Sequence, residues 1–281
     1  MEVLSQTEII SIIILILFSG SIAGILAGLI GVGGGIVVVP VLFYLFTYLD
    51  YNEAIIMHMA VATSLFIIVP TSIRSALQHR NRGAFDNKVF KRWLIPLAFG
   101  SLLGSIIASF LSFVVLTVFF AVIAGFVSIQ MLRDQKERKL PKLIFNIAPL
   151  FIGFVSAMMG IGGGTLSVPV MNLSGIEIKK AIGTSAAFGT VIAIPSSIGF
   201  IITGLSQSSL LPEYTIGYIN WLFFILIVPV TLIFVPVGVK IAHRIPQNIL
   251  RRLFGLFLGI TAIKMFSDFI YTKWVTDQND C

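Results

Sequence analysis

Apolar residues run along this chain in long unbroken stretches and do not alternate with polar ones. Residues 9–30 contain no charged side chain, and comparable stretches recur to the far end. A helix needs roughly 20 residues to cross about 30 Å of hydrocarbon, and spanning backbone must be helical or a closed barrel. Continuous runs favour helices, because barrel strands alternate. Ten membrane segments follow. The first half has 9–30, 36–49, 55–78, 92–111 and 114–132, and the second has 144–159, 165–175, 180–205, 217–240 and 249–270. Three of these (36–49, 144–159 and 165–175) are short for a full crossing.

The short segments flank an unusual sequence that occurs twice. Residues 31–40 read Gly-Val-Gly-Gly-Gly-Ile-Val-Val-Val-Pro, and residues 160–169 read Gly-Ile-Gly-Gly-Gly-Thr-Leu-Ser-Val-Pro. Each glycine-linked pair of segments is therefore expected to break at mid-membrane, as a re-entrant hairpin or a discontinuous helix. The match continues beyond the glycines. Ala62-Thr63-Ser64 answers Gly183-Thr184-Ser185, and Pro70-Thr71-Ser72 answers Pro195-Ser196-Ser197. The chain divides accordingly into a first repeat with its basic connecting loop, 1–142, and a second repeat, 143–281.

Composition strengthens this reading. The chain is 57% hydrophobic and only 11% charged, against about 25% charged in a usual soluble domain. Its net charge of +7 sits in short loops between apolar runs, which points to cytoplasmic loops and not to nucleic acid. No Lys or Arg precedes Arg74. The stretch 79–92 then carries Arg80, Arg82, Lys88, Lys91 and Arg92, and 240–252 carries Lys240, Arg244, Arg251 and Arg252, whereas 206–216 has only Glu213. Loops that are basic in one half are neutral or acidic at the matching place in the other. Five segments running out-to-in and five running in-to-out explain this, as an inverted-topology repeat with both termini outside. The N-terminus has no basic n-region, so the first segment is expected to be retained. Cys281 is the only cysteine, which leaves no internal disulfide framework.

The candidate binding residues follow from chemistry. Gly33, Gly34 and Gly35, with Gly162, Gly163 and Gly164, remove side chains so that backbone N–H groups can line a cavity. A helix starting at Ile36 or Thr165 would point its unpaired N–H groups at an anion there. Close helix packing is the alternative use for such glycines. Thr63, Ser64, Thr165, Thr184 and Ser185 could donate hydroxyls to an oxyanion, or bond back to their own helix. Pro70 and Pro195 are candidate kinks for gating. Arg74 is a candidate counter-charge, or it snorkels to the interface. His58 is a candidate proton relay, which would make a proton the coupling ion, although a lone histidine is more often a packed residue. Lys264 and Asp268 are spaced to pair on one helix face, and Trp93, Trp221 and Trp274 fall where interfacial belts lie. No nucleotide, catalytic or metal-ligand motif is present, so neither an enzyme nor a bound cofactor is expected.

These residues resemble the TauE/SafE sulfite exporter family, also called the transmembrane small-anion or sulfite permease family. The resemblance rests on Gly28–Gly35 with Pro40, Ala60–Ser64 leading to Pro70-Thr71, the basic turn Arg80–Asp86, Gly160–Pro169 and Ala181–Ser185, and it covers nearly the whole chain. One departure is Ala62, where the second half has Gly183. The resemblance implies a multi-pass carrier in the cytoplasmic (inner) membrane that exports sulfite, an organosulfonate or a related small sulfur anion. An all-α membrane transporter alternating around two glycine loops is the expected architecture. An anion channel and a carrier of another small organic anion are the alternatives.

Overall fold

The computed structural model describes residues 6–31, 33–132 and 141–244, with positions 246, 249, 252, 255, 256, 259, 260, 262–264, 266 and 267 beyond them. It is mostly helical. In chain order the helices are α1 (Gln6–Ile30), α2 (Gly35–Tyr48), α3 (Glu53–Arg80), α4 (Asn87–Phe110), α5 (Phe113–Leu132), α6 (Lys142–Met159), α7 (Gly164–Leu173), α8 (Ile178–Leu205) and α9 (Trp221–Ala242). The described positions from 249 to 267 are also helical. Most of the connecting loop 133–142 lies outside the described residues, as do Asp268 and Trp274. Lys264 places its ammonium 4.3 Å from the centre of the Tyr44 ring.

The helices start where local chemistry directs. Asn52 accepts the Ala54 N–H at 3.0 Å and caps α3. Asp86 accepts from Lys88 and Val89 to cap α4, and Asn220 accepts from Leu222 and Phe223 to cap α9. Such side-chain oxygens satisfy N–H groups that have no acceptor inside the helix. Five helices (α1, α3, α4, α8 and α9) are long and apolar enough to cross a membrane. At 1.5 Å per residue, the 14-residue α2 reaches about 21 Å and the 10-residue α7 about 15 Å, short of the hydrocarbon thickness.

One expected segment is corrected. Residues 217–220 do not begin a helix. Thr215–Ile216 pairs antiparallel with Ile219–Asn220, around Gly217 at φ 55°, and α9 starts only at Trp221. A positive φ followed by a capping asparagine holds these residues in a hairpin despite their apolar neighbours. Trp93 is likewise no interfacial residue. It is fully buried, with its ring 5.5 Å from Phe188 and 5.0 Å from Phe145.

Small residues set how the long helices pack. Gly20, Gly24 and Gly28 of α1 lie in order against Val230, Thr231 and Val235, so α1 and α9 run parallel. Gly100 and Gly104 of α4 lie against Leu150 and Phe154, so α4 and α6 run parallel. Ser196 and Thr203 of α8 bond to Ser101 and Ser109 of α4, which makes that pair parallel too. By contrast, α3 and α8 are antiparallel: His79 meets Gly183, and Ser72 meets Gly189. These two helices form the middle of the molecule, and α3 is buried along most of its length. Large apolar side chains such as Phe18, Ile95, Phe110, Ile202 and Ile225 are exposed, as on a surface whose solvent is lipid.

A methyl group at Gly104 would collide with the Phe154 carbonyl, whereas one at Gly125 meets only Ala262 at 3.9 Å. Gly104→Ala should therefore lose about 1–3 kcal/mol through forced helix separation, and Gly125→Ala should stay within about 0.5 kcal/mol of wild type. Thermal unfolding of the two variants in the same detergent measures the difference.

Candidate functional site

The two glycine clusters break the chain in different ways. Gly31, Gly33 and Gly34 all have positive φ (69°, 76° and 79°) and reverse the chain between α1 and α2. In the second cluster only Gly160 does so, at 67°, while Gly163 is right-handed at φ −60°. The same sequence template thus makes two non-identical turns. The helices begin at Gly35 and Gly164, one residue ahead of Ile36 and Thr165.

The clusters meet on the face of α3. A methyl group at Gly35 would strike the Gly160 carbonyl. Ser64 lies beside both and donates to Gly160 O at 2.8 Å, with Gly35 O at 3.4 Å. A matching contact exists on α8, where Ser185 donates to Ile182 O at 2.9 Å and reaches Gly31 O at 3.5 Å. Each serine thereby touches the leading glycine of the other half's cluster. The threonines beside them are just as reciprocal. Thr63 Oγ1 accepts the Asn220 N–H at 2.9 Å, and Thr184 Oγ1 accepts the Asp86 N–H at 2.9 Å. Asn220 and Asp86 are the N-cap residues of α9 and α4, so each threonine holds the start of a helix from the opposite half.

Ser64, Ile68 and Ser72 are four residues apart and share one face of α3. This face closes on the clusters: a methyl at Gly33 would lie 2.7 Å from Ile68 Cγ2 and 2.9 Å from Ser72 Oγ. Ser72 is fully buried, its hydroxyl has no hydrogen-bond partner, and it abuts Gly189 of α8. The sequence alone does not single out Ser72 as a candidate. Its eight-residue spacing from Ser64 was the available signal. Thr165 is also buried with an unpartnered hydroxyl, and Ser167 bonds back to Gly163 O at 2.6 Å. Two free hydroxyls and two helix N-termini, with first-turn N–H groups that lack acceptors in their own helices, are thus gathered around α3 and α8. Such a setting is suited to an anion.

Other candidate residues lie elsewhere. His58 is buried at the opposite end of α3 from His79. Its Nε2 is 3.2 Å from Ala108 O and 3.0 Å from Leu111 O, and its ring stacks on Tyr218 at 5.2 Å. The histidine proton therefore ties α3 to the end of α4. Arg74 is exposed and does not share the buried setting of the glycines. Pro70 and Pro195 are half-buried within α3 and α8, both of which remain helical through them.

Residues 16–265 match a family described as sulfite exporter TauE/SafE. A Haemophilus influenzae protein named "probable membrane transporter protein" is 36% identical over 263 residues, covering 90% of this chain and 98% of its own. A Methanocaldococcus jannaschii protein of the same description is 28% identical over 92% of this chain and 97% of its own length. An Arabidopsis thaliana protein named as sulfite exporter TauE/SafE family protein 5 is 28% identical over 46% of this chain and 27% of its own. No solved structure matches the chain.

The Thr63 and Thr184 contacts make a stability prediction. Thr63→Val or Thr184→Val keeps the side-chain shape but leaves a backbone N–H without its acceptor, and each should cost about 1–3 kcal/mol. Serine at either position keeps the hydroxyl and should restore most of the loss. Unfolding in detergent measures this, and a valine variant as stable as wild type would count against the contact.

Proposed function

We propose that this chain, which belongs to the sulfite exporter TauE/SafE family, is a secondary carrier that exports sulfite, an organosulfonate or a related small sulfur-containing anion. Membership makes it a membrane transporter. The substrate class rests on the family description. The mechanism rests on one observation above the others: the two glycine clusters touch at Gly35 and Gly160, bridged by Ser64, at the crossing of the two central helices.

In this reading the anion lies against that crossing. Gly33–Gly35 and Gly162–Gly164 present backbone N–H groups, and Ser72 and Thr165 donate hydroxyls. Ser64 and Ser185 spend their O–H groups on backbone carbonyls and hold the clusters in place, whereas Thr63 and Thr184 accept backbone N–H groups at the helix starts and keep an O–H to donate to the substrate. Neutral dipoles suit an anion that must also be released, because none of the described residues sets a buried counter-charge against it.

The architecture we infer is an inverted repeat of residues 1–142 and 143–281. Three features support it. The α1–α9 and α4–α6 pairs exchange when each element is advanced by five. The reciprocal serine and threonine contacts exchange in the same way. The two helices that would be symmetry mates, α3 and α8, are antiparallel. The two halves then alternate access by moving around the shared site. The distribution of Lys and Arg puts 79–92 and 240–252 in the cytoplasm and both termini outside the inner membrane.

Two measurements test this. Gly163→Leu would push on Ile192, whose Cδ1 lies 2.8 Å from the added Cβ position, and Gly34→Leu would push on Ala23 O at 2.6 Å. Both should cut sulfite flux in proteoliposomes by about tenfold or more with the protein still inserted. Wild-type flux in both variants would remove the clusters from the mechanism. For topology, a membrane-impermeant maleimide should label Cys281 from the periplasmic side of intact cells; protection until the membrane is opened would reverse the orientation.

A further inference from the structure

Three groups that carry or can take up positive charge, His79, Arg82 and His243, converge at the basic end of the molecule, next to the first glycine cluster, and the charge of Lys179 reaches His243. His79 closes the last turn of α3, Arg82 stands in the turn after it, Lys179 opens α8, and His243 follows α9. The two imidazole rings are 5.8 Å apart. His79 is 2% exposed. Its Nε2 is 2.8 Å from Gly28 O and donates there, while its Nδ1 is buried and has no partner. The Nε2 of half-buried His243 is likewise without a partner. Arg82 donates through Nη1 to Val239 O at 3.2 Å, at the carbonyl end of α9, which fixes its guanidinium beside the histidines and leaves further donors free.

Burial, then the charges of Arg82 and Lys179, hold the His243 imidazole below its usual range. Like charges this close repel, and a stable cluster of them gains most from an anion that bridges them.

We propose that His79, Arg82, Lys179 and His243 form a second binding site, a vestibule that captures a small tetrahedral or pyramidal oxyanion before it reaches the glycine clusters. This rests on the transporter reading for its place in a pathway, though not for the binding itself. The ligand bonds to the guanidinium of Arg82, the ammonium of Lys179 and the protonated ring of His243, with His79 forming the buried floor. The site lies beside the inner start of the route. Gly28, the acceptor of His79, is three residues before Gly31, and Gly183, against which His79 packs, is two before Ser185. Anion binding and His243 protonation favour each other, because the anion relieves the repulsion from Arg82 and Lys179. Affinity therefore rises as pH falls through the histidine range.

The probe is sulfate, whose charge is constant over that range, with sulfite as the second anion. Calorimetry on the purified protein should show sulfate binding that tightens with falling pH. Lys179 is exposed, so Lys179→Gln leaves the fold intact. It should weaken binding about tenfold, and Lys179→Arg should restore it. His243→Gln should flatten the pH dependence. In sided proteoliposomes, the same variants should raise KM for sulfite presented at the basic face and leave the maximal rate from that face unchanged. Unchanged sulfate affinity in Lys179→Gln/His243→Gln, or no binding of either anion to wild type, overturns the vestibule. Sulfate binding that depends on Lys179, in a protein with no sulfite flux, sustains the vestibule and overturns the transporter reading instead.

Discussion

Unpaired backbone cannot face lipid. Each N–H or C=O left without a partner in hydrocarbon costs several kcal/mol. A chain that interrupts its helices at two glycine clusters must therefore enclose both breaks within protein, and much of the arrangement follows from that need. The clusters lie on α3, the most buried of the five long helices, and its antiparallel partner α8. Ser64 supplies a donor to the Gly160 carbonyl, and Ser185, which donates to Ile182 O, lies 3.5 Å from the Gly31 carbonyl. Thr63 and Thr184 supply acceptors to the N–H groups of two residues that precede helices. The outer helices can be apolar on every side because the polar work is concentrated at this crossing.

The same constraint explains why small residues recur away from the site. Lipid offers apolar helices no hydrophobic reason to associate, so contact must come from close packing. Gly24 and Gly28 on α1, and Gly100 and Gly104 on α4, bring neighbouring backbones together where a methyl group would collide with a carbonyl. The long helices are thereby fixed at short separations, and α3 and α8 are held between them.

Much of this was legible in the sequence, and the parts that were not share a cause. Unbroken apolar runs, capping residues such as Asp86, and the doubled glycine template are local signals. They locate the helices to within a few residues and single out the breaks. The reciprocal partners are not local: nothing near Thr63 announces Asn220, and nothing near Thr184 announces Asp86. Spacing alone suggested that these hydroxyls face a substrate, or bond one turn back. The structure pairs their oxygens with distant backbone N–H groups. Ser72 was overlooked because its importance depends on Gly33 and Gly189 coming to it. Trp93 looked interfacial by its place in the segment, but tertiary packing against Phe188 and Phe145 buries it. The 215–220 hairpin was hidden by apolar residues that extend the hydrophobic run of α9.

The interlock between the halves has a consequence for the order of events during synthesis. Ser64 finds its acceptor 96 residues later in the chain, and Thr63 finds its donor 157 residues later. At roughly 5–20 residues per second, the ribosome needs about 8–30 s to make the second of those distances. During that interval the first glycine break is already translated, and its long-range partner does not yet exist. A helix without breaks could be released into lipid at once, but this one is best kept in a protein-lined shelter until the second half arrives. The time the first half waits for its partner is thus set by how far apart along the sequence Thr63 and Asn220 lie.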